Sequence, residues 1–203
     1  MKKILQIVGI VVVIIVIAYF IYLASQTGPD SLRDRDYNQL KTSDSDNGNS
    51  QPTQVYVSQK NAYALVLPDT WQLLNGDLES EFVEFTNVPS EDASSTNRVD
   101  FSVSVANTNA TSSSIFLAGF DKERAKVARG NQSVVVLNTA LIKISSHEAV
   151  LRIEQWNAID QKVAVAYVIS QGHIFMFIAK SPTVGSNELE TTLSGILATV
   201  VLN

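Results

Sequence analysis

Apolar and polar positions divide the chain into three stretches of different character. Residues 4–24 are apolar almost without interruption, with Gln6 the one strongly polar side chain and 10–17 a continuous β-branched run. Residues 26–53 replace core formers with Ser, Asp, Asn, Gly and Pro. From residue 54 onward, short apolar runs alternate with turn residues, the pattern of a packed domain. The run Tyr63-Ala64-Leu65-Val66-Leu67 stops at Pro68-Asp69, a turn signal, and Trp71 is expected to fold back as a core anchor. Residues 81–86 read as a second strand, with Phe82 and Phe85 too far apart for strict alternation, which points to a bulge. A polar loop over 88–97 follows, and then 100–105, where Phe101, Val103 and Val105 alternate with serines.

Ser112-Ser113-Ser114 opens a helix over 115–129 whose apolar stripe includes Phe116, Phe120 and Ala128, with Gly130 at its end. Four strands are expected next, over 133–144, 149–156, 163–170 and 173–179, the last two joined by a tight turn at Gln171-Gly172. Ser186-Asn187-Glu188 starts a terminal helix carrying Leu189, Leu193, Ile196 and Leu197 at helical spacing, and 200–202 close as an edge strand. The sum is an α+β domain, an antiparallel β-sheet flanked by helices, with one transmembrane helix at the N-terminus.

The first stretch has the length of a membrane span. Roughly 20 residues at 1.5 Å each cross a ~30 Å hydrocarbon core, and lipid forces a helix because it offers backbone groups no other partner. Lys2 and Lys3 precede the span and favour a cytoplasmic N-terminus, while Tyr19, Phe20 and Tyr22 cluster at the far end as an interfacial belt. A cleaved signal peptide is the plainer reading of such a segment. Its apolar region is shorter, however, and Tyr22-Leu23-Ala24 lacks the small residue that cleavage needs. A pilin-like helix wants a glutamate near its start, but no Glu precedes Glu79, and Gly28-Pro29 would break the helix. The expected organisation is therefore a cytoplasmic stub and anchor (1–25), a flexible polar linker (26–53) of about 30 Å r.m.s. span, and an extracytoplasmic domain (54–203).

Charge and cysteine content narrow the chemistry. Residues 1–53 carry five basic and five acidic side chains, so the net charge of −5 belongs entirely to the folded part. A domain of that sign repels phosphate backbones, which excludes nucleic acid as a natural partner. There is no cysteine. That removes disulfides, thiolate metal sites, thiol nucleophiles and lipidation of the lipobox-like Leu23-Ala24-Ser25, where Gln26 stands in the acylated position.

No catalytic, cofactor or metal signature stands out. His147 and His173 are the only histidines, and both fall at expected turns. An enzymatic alternative, a hydrolase or metal-dependent enzyme of the cell envelope, would need both near a carboxylate such as Glu148 or Asp160. The three serines at 112–114 have no nucleophile elbow around them and read as a helix cap. Asp77, Glu79 and Glu81, followed by Glu84, Glu91 and Asp92, form an acidic run. If 77–81 were extended, the first three would share a face and offer a weak Ca²⁺ site or a contact to a basic partner, although charges of this kind more often simply solvate a strand edge. Trp156, at a strand end beside Asn157, is a second candidate partner contact. Trp71, Phe175 and Phe177 supply aromatic surface for a core or for an apolar ligand.

The sequence Tyr63-x-Leu65-x-Leu67-Pro68-x-x-Trp71 resembles the opening motif of the PsbP-like family, which takes in photosystem II accessory proteins and envelope relatives such as DcrB-like and LpqN-like proteins. The order of elements over 55–203 is similar too. The resemblance implies an α/β/α sandwich without enzymatic activity that serves as an accessory or binding module. A linker replaces the photosystem proteins' N-terminal binding segment, so a photosynthetic role is not implied. The function expected is that of a non-enzymatic module, anchored through residues 4–24 and displayed outside the cytoplasm to engage a protein partner or a small apolar ligand.

Overall fold

A computed structural model describes residues 53–88, 98–127, 134–181 and 184–202. The expected span and all of the linker but Thr53 lie outside these residues, as do most of the polar loop and the helix-closing Ala128 and Gly130. Among the described residues, no helix is long and apolar enough to cross a membrane.

Among the described residues, ten strands and two helices follow one another: β1 (Thr53–Ser58), β2 (Tyr63–Pro68), β3 (Gln72–Asn75), β4 (Phe82–Thr86), β5 (Asp100–Asn107), α1 (Ser113–Val127), β6 (Val134–Ile144), β7 (His147–Trp156), β8 (Gln161–Ser170), β9 (His173–Ser181), α2 (Ser186–Leu197) and β10 (Val201–Leu202). The elements expected over 54–203 are present among the described residues, but the strands divide into two antiparallel sheets. Seven form the main sheet in the order β3-β4-β5-β9-β8-β7-β6, and β1-β2-β10 form a small one. The division follows from β2. Its Tyr63, Leu65 and Leu67 are buried while the alternate positions are only half-buried, so one face of the strand packs on another layer. Thr199 extends the small sheet without being a strand residue. Its hydroxyl accepts the Val66 N–H at 3.0 Å and lies 3.1 Å from the Val66 carbonyl, along the edge of β2 where β10 pairs.

Alternation along the central strands feeds two cores. Leu151 and Ile153 of β7, Ala164, Ala166 and Val168 of β8, and Phe175 and Phe177 of β9 face α2 and the small sheet. On the opposite face, Val150, Val163, Val165 and Tyr167 pack beneath α1 with Leu117, Phe116 and Phe120. The first core is filled by rings: Phe85, Phe101, Phe177 and Phe175 stack in a row at centroid spacings of 6.2–6.5 Å, with Tyr63 and Trp71 edge-on at its sides. Trp71 is buried as expected and its N–H donates to the Pro68 carbonyl at 3.0 Å, closing the predicted turn.

The bulge expected near Phe82 and Phe85 lies elsewhere. β4 pairs with β5 in unbroken register, and the irregularity falls between Leu73 and Asn75 of β3. Both faces of β4 are covered from Val83 to Thr86, so a simple two-faced pattern does not apply to it. The Ser112 hydroxyl accepts the Ile115 N–H at 3.3 Å, the helix cap that the serine run predicted. Gln171 and Gly172 both have positive φ, as the tight turn between β8 and β9 requires.

Candidate functional site

Glu154 of β7 is fully buried and faces α1. Four donors converge on its carboxylate. Arg124 approaches through both terminal nitrogens at 3.3 and 3.1 Å, the Trp156 indole N–H donates at 2.7 Å, and the Tyr167 hydroxyl at 3.5 Å. Asp121, one turn before Arg124, holds Arg124 at 2.8 Å and Arg152 of β7 at 2.7 Å. Two cations and two anions thus balance at the α1–sheet interface, with Arg124 also lying over the Phe120 ring. Burial works against the charge on Arg124, but the hydrogen bonds and negative charge of Glu154 outweigh it and hold the guanidinium ionised. Burial, reinforced by Glu154, lifts Tyr167 well above the ordinary phenol range. Paired and neutral overall, the cluster positions α1; its carboxylates are occupied by the chain's own donors.

The histidines are separated. His147 Nδ1 lies 2.9 Å from the Ser145 carbonyl, and Nε2 lies 3.1 Å from the Ser170 hydroxyl. With the Nδ1 proton facing that carbonyl, Nε2 accepts from Ser170. His173 turns Nδ1 to the Gln171 carbonyl at 3.1 Å, and Ser170, its partner across the β8–β9 ladder, stands between the two rings. Glu148 follows His147 in β7 and so points to the other face of the sheet, and Asp160 precedes the opposite end of β8. The carboxylates named for an enzymatic reading are therefore not brought to the histidines. Among the described residues, no group of three His, Cys, Asp or Glu is placed to hold a metal ion. The Ser170–His147 spacing fits a nucleophile and base, but Ser170 is buried at the end of the ladder and a carbonyl, not a carboxylate, orients the ring.

The acidic residues do not form the extended face the sequence suggested. Residues 77–81 turn between β3 and β4. Asp77 Oδ1 accepts the Glu79 N–H and the Ser80 hydroxyl, each at 3.0 Å. Glu79 reaches across to the β1–β2 turn, where its two oxygens accept the N–H groups of Gln59 and Lys60 at 3.0 and 2.7 Å. Only Glu81 is exposed without a side-chain hydrogen bond of this kind. Glycine chemistry explains the turn: Gly76 has φ +81°, a conformation that other residues rarely adopt.

Trp156 lies at the other side of the main sheet, four strand spacings, or about 19 Å, from β4. Half-buried, it keeps its indole N–H on Glu154 and pairs directly across the ladder with Val134, the first residue of β6. The pairing places it beside a surface that sequence reasoning missed. Strand β6 is the edge of the main sheet and pairs with β7 alone among the described residues. Its Val135, Val136 and Leu137 are 40–50% exposed and Leu141 is 79% exposed. A near-continuous apolar run usually signals a strand covered on both faces; here the described residues of α1 pack on β7 and β8, and β6 keeps exposed side chains. Position in the meander gave no signal, because its other terminal strand, β9, has two neighbours, β8 and β5.

No protein-family model matches the chain, and no curated protein matches it by sequence. Solved structures share its fold. The cyanobacterial PsbP protein CyanoP from Synechocystis sp. PCC 6803 aligns with a TM-score of 0.55 over 79% of this chain and 98% of its own, at 11% identity. Protein PA94 of unknown function from Pseudomonas aeruginosa aligns with a TM-score of 0.50 over 74% and 97%, at 16% identity. LpqN of Mycobacterium tuberculosis, involved in cell envelope biogenesis, gives 0.47 at 13% identity over 77% and 87%. The first alignment supports a PsbP-like fold for the described residues, and the second shares that fold. At such identities they carry architecture alone.

Proposed function

We propose that this chain is a membrane-anchored accessory module, displayed outside the cytoplasm, that works by binding another protein. The observation that carries the reading is the apolar strip Val135, Val136 and Leu137 on an open sheet edge, flanked by Trp156. Water-exposed aliphatic side chains grouped on one edge are unfavourable unless a partner covers them, and an aromatic beside them supplies an anchor. A protein partner is favoured over a small apolar ligand because Trp71, Phe175 and Phe177, the aromatic side chains available for either a core or a ligand cavity, pack against their neighbours in the core. The acidic Glu81, on the far side of the sheet, is a separate contact for a basic partner.

The test is site-specific photocrosslinking in intact membranes from Leu137 and, as control, from Lys122 of α1. The reading expects one discrete adduct from position 137 that Val135→Lys abolishes, with none from 122. Equal labelling at both positions, or none at either, sinks it. The Ser170–His147 contact keeps a hydrolase as the second reading. Labelling by a serine-directed fluorophosphonate that disappears in Ser170→Ala is the result that would favour it.

A further inference from the structure

We infer that the distal half of β6, residues 138–144, pairs with the same segment of a second copy, joining two main sheets about a two-fold axis at Leu141. The inference rests on the membrane-anchored reading above for its concentration, but on different residues for its contacts: a bulge between Val136 and Asn138 divides β6 and leaves the strip beside Trp156 to a foreign partner.

Backbone geometry restricts the register. Ile144 and His147 close a two-residue hairpin through Ser145 and Ser146, both with positive φ. Such a hairpin closes on a hydrogen-bonded pair, so Ile144, Ile142 and Ala140 direct their N–H and C=O groups toward β7, and Lys143, Leu141 and Thr139 direct theirs outward. A two-fold antiparallel pairing can centre on one of these three outward residues or, as a non-hydrogen-bonded pair, on Ala140 or Ile142, but the latter two centres run sooner into the bulge or the turn and shorten the ladder. Centring on Lys143 sets two like charges opposite each other and runs into the turn. Centring on Thr139 carries the ladder into the bulge, where the regular backbone spacing is lost. Centring on Leu141 avoids both. It pairs Thr139 with Lys143 and Ala140 with Ile142, and it covers Leu141, which at 79% is the most exposed of the large apolar side chains described.

Charge agrees with this choice. Lys143 is the only ionisable residue of β6 and lies opposite Glu148 of β7, so the edge is locally balanced. The acidic turn at 77–81 belongs to the opposite edge of the sheet, and the net negative charge does not concentrate at the junction. Edge strands that resist self-pairing carry inward charges, prolines or a lysine in mid-strand; 138–144 has no proline, and its one charge, Lys143, lies next to the turn rather than in mid-strand.

Seven paired residues per copy bury on the order of 800 Å² in total, less than the ~1,200 Å² at which specific interfaces become stable in dilute solution. Pairing is thus expected where chains share a surface that raises their effective concentration, and to be weak for dispersed molecules.

Because the chain has no cysteine, disulfide trapping reads the register directly. In the full-length chain, in membranes under mild oxidation, Leu141→Cys should form a covalent dimer, since a hydrogen-bonded antiparallel pair sets Cα atoms about 5.5 Å apart. Thr139→Cys and Lys143→Cys should each fail alone, their copies being about 13 Å apart, and should link when differently tagged chains are expressed together. Self-linking at 139 or 143 with none at 141, equal linking at all three, or no dimer at any position overturns the inference. So does an adduct of a different protein at Cys-substituted 141, an outcome that leaves the accessory-module reading standing.

Discussion

Glu154 shows how much one side chain carries. Its carboxylate is out of water and satisfied by Arg124, Trp156 and Tyr167, so Glu154→Ala leaves two arginines sharing the single carboxylate of Asp121 in a poorly solvated interface. Breaking such a cluster from one side costs about 3–5 kcal/mol; denaturant unfolding of the variant should show a loss of that size. Glu154→Gln, which keeps the shape and one acceptor, should fall between the variant and the parent. Three tyrosines give a second test. Burial raises Tyr56, Tyr63 and Tyr167 above the ordinary phenol value of 10.0, with Glu79 adding to Tyr63 and Glu154 to Tyr167. The unfolded chain therefore releases these protons at a lower pH than the folded one. Stability is fully present below pH 10 and declines as pH rises beyond it. Thermal melts between pH 9 and 11.5 should show the midpoint falling, with phenolate absorbance near 295 nm appearing in step with unfolding. A phenolate rise that precedes unfolding by all three residues would contradict this.

At the scale of elements, two glycines in the left-handed region separate strain from crowding. A Cβ on Gly76 runs into the Phe82 carbonyl oxygen, while one on Gly172 meets nothing nearer than the Thr108 carbonyl at 4.0 Å. Gly172→Ala should cost only the backbone term, about 1 kcal/mol, and Gly76→Ala about 2–3 kcal/mol because the β3–β4 turn must shift as well. Calorimetric midpoints should rank them in that order. The elements themselves were largely legible. Alternation in 100–105, the Ser112 cap and the Gln171-Gly172 turn each reflect a local rule, and each holds. The acidic run was misread for an equally local reason: its charges suggested an exposed strand, but Gly76 and Asp77 set up a turn, and Glu79 found its partners in the N–H groups of Gln59 and Lys60, about twenty residues earlier. Nothing in the composition of 77–81 announces that contact.

The molecule as a whole is tied together at its C-terminus. Leu202 is buried, β10 pairs with β2, and the Leu202 N–H donates to the Ser145 hydroxyl in the β6–β7 turn at 3.1 Å. Ending the chain at Val200 should cost about 2 kcal/mol from lost apolar burial and loosen β2, seen as faster amide exchange at Tyr63 and Leu65. By itself the sequence determined the order of strands and helices, the apolar stretch at 4–24, the acidic balance and the buried Trp71, because periodicity, turn chemistry and charge are properties of neighbours along the chain. Only the tertiary structure decided that the strands part into two sheets, that Glu154 sits beneath α1 within reach of two arginines, that Ser170 separates the histidines, and that an apolar β6 is the edge strand among the described residues. Each of these depends on which distant segments come to lie side by side.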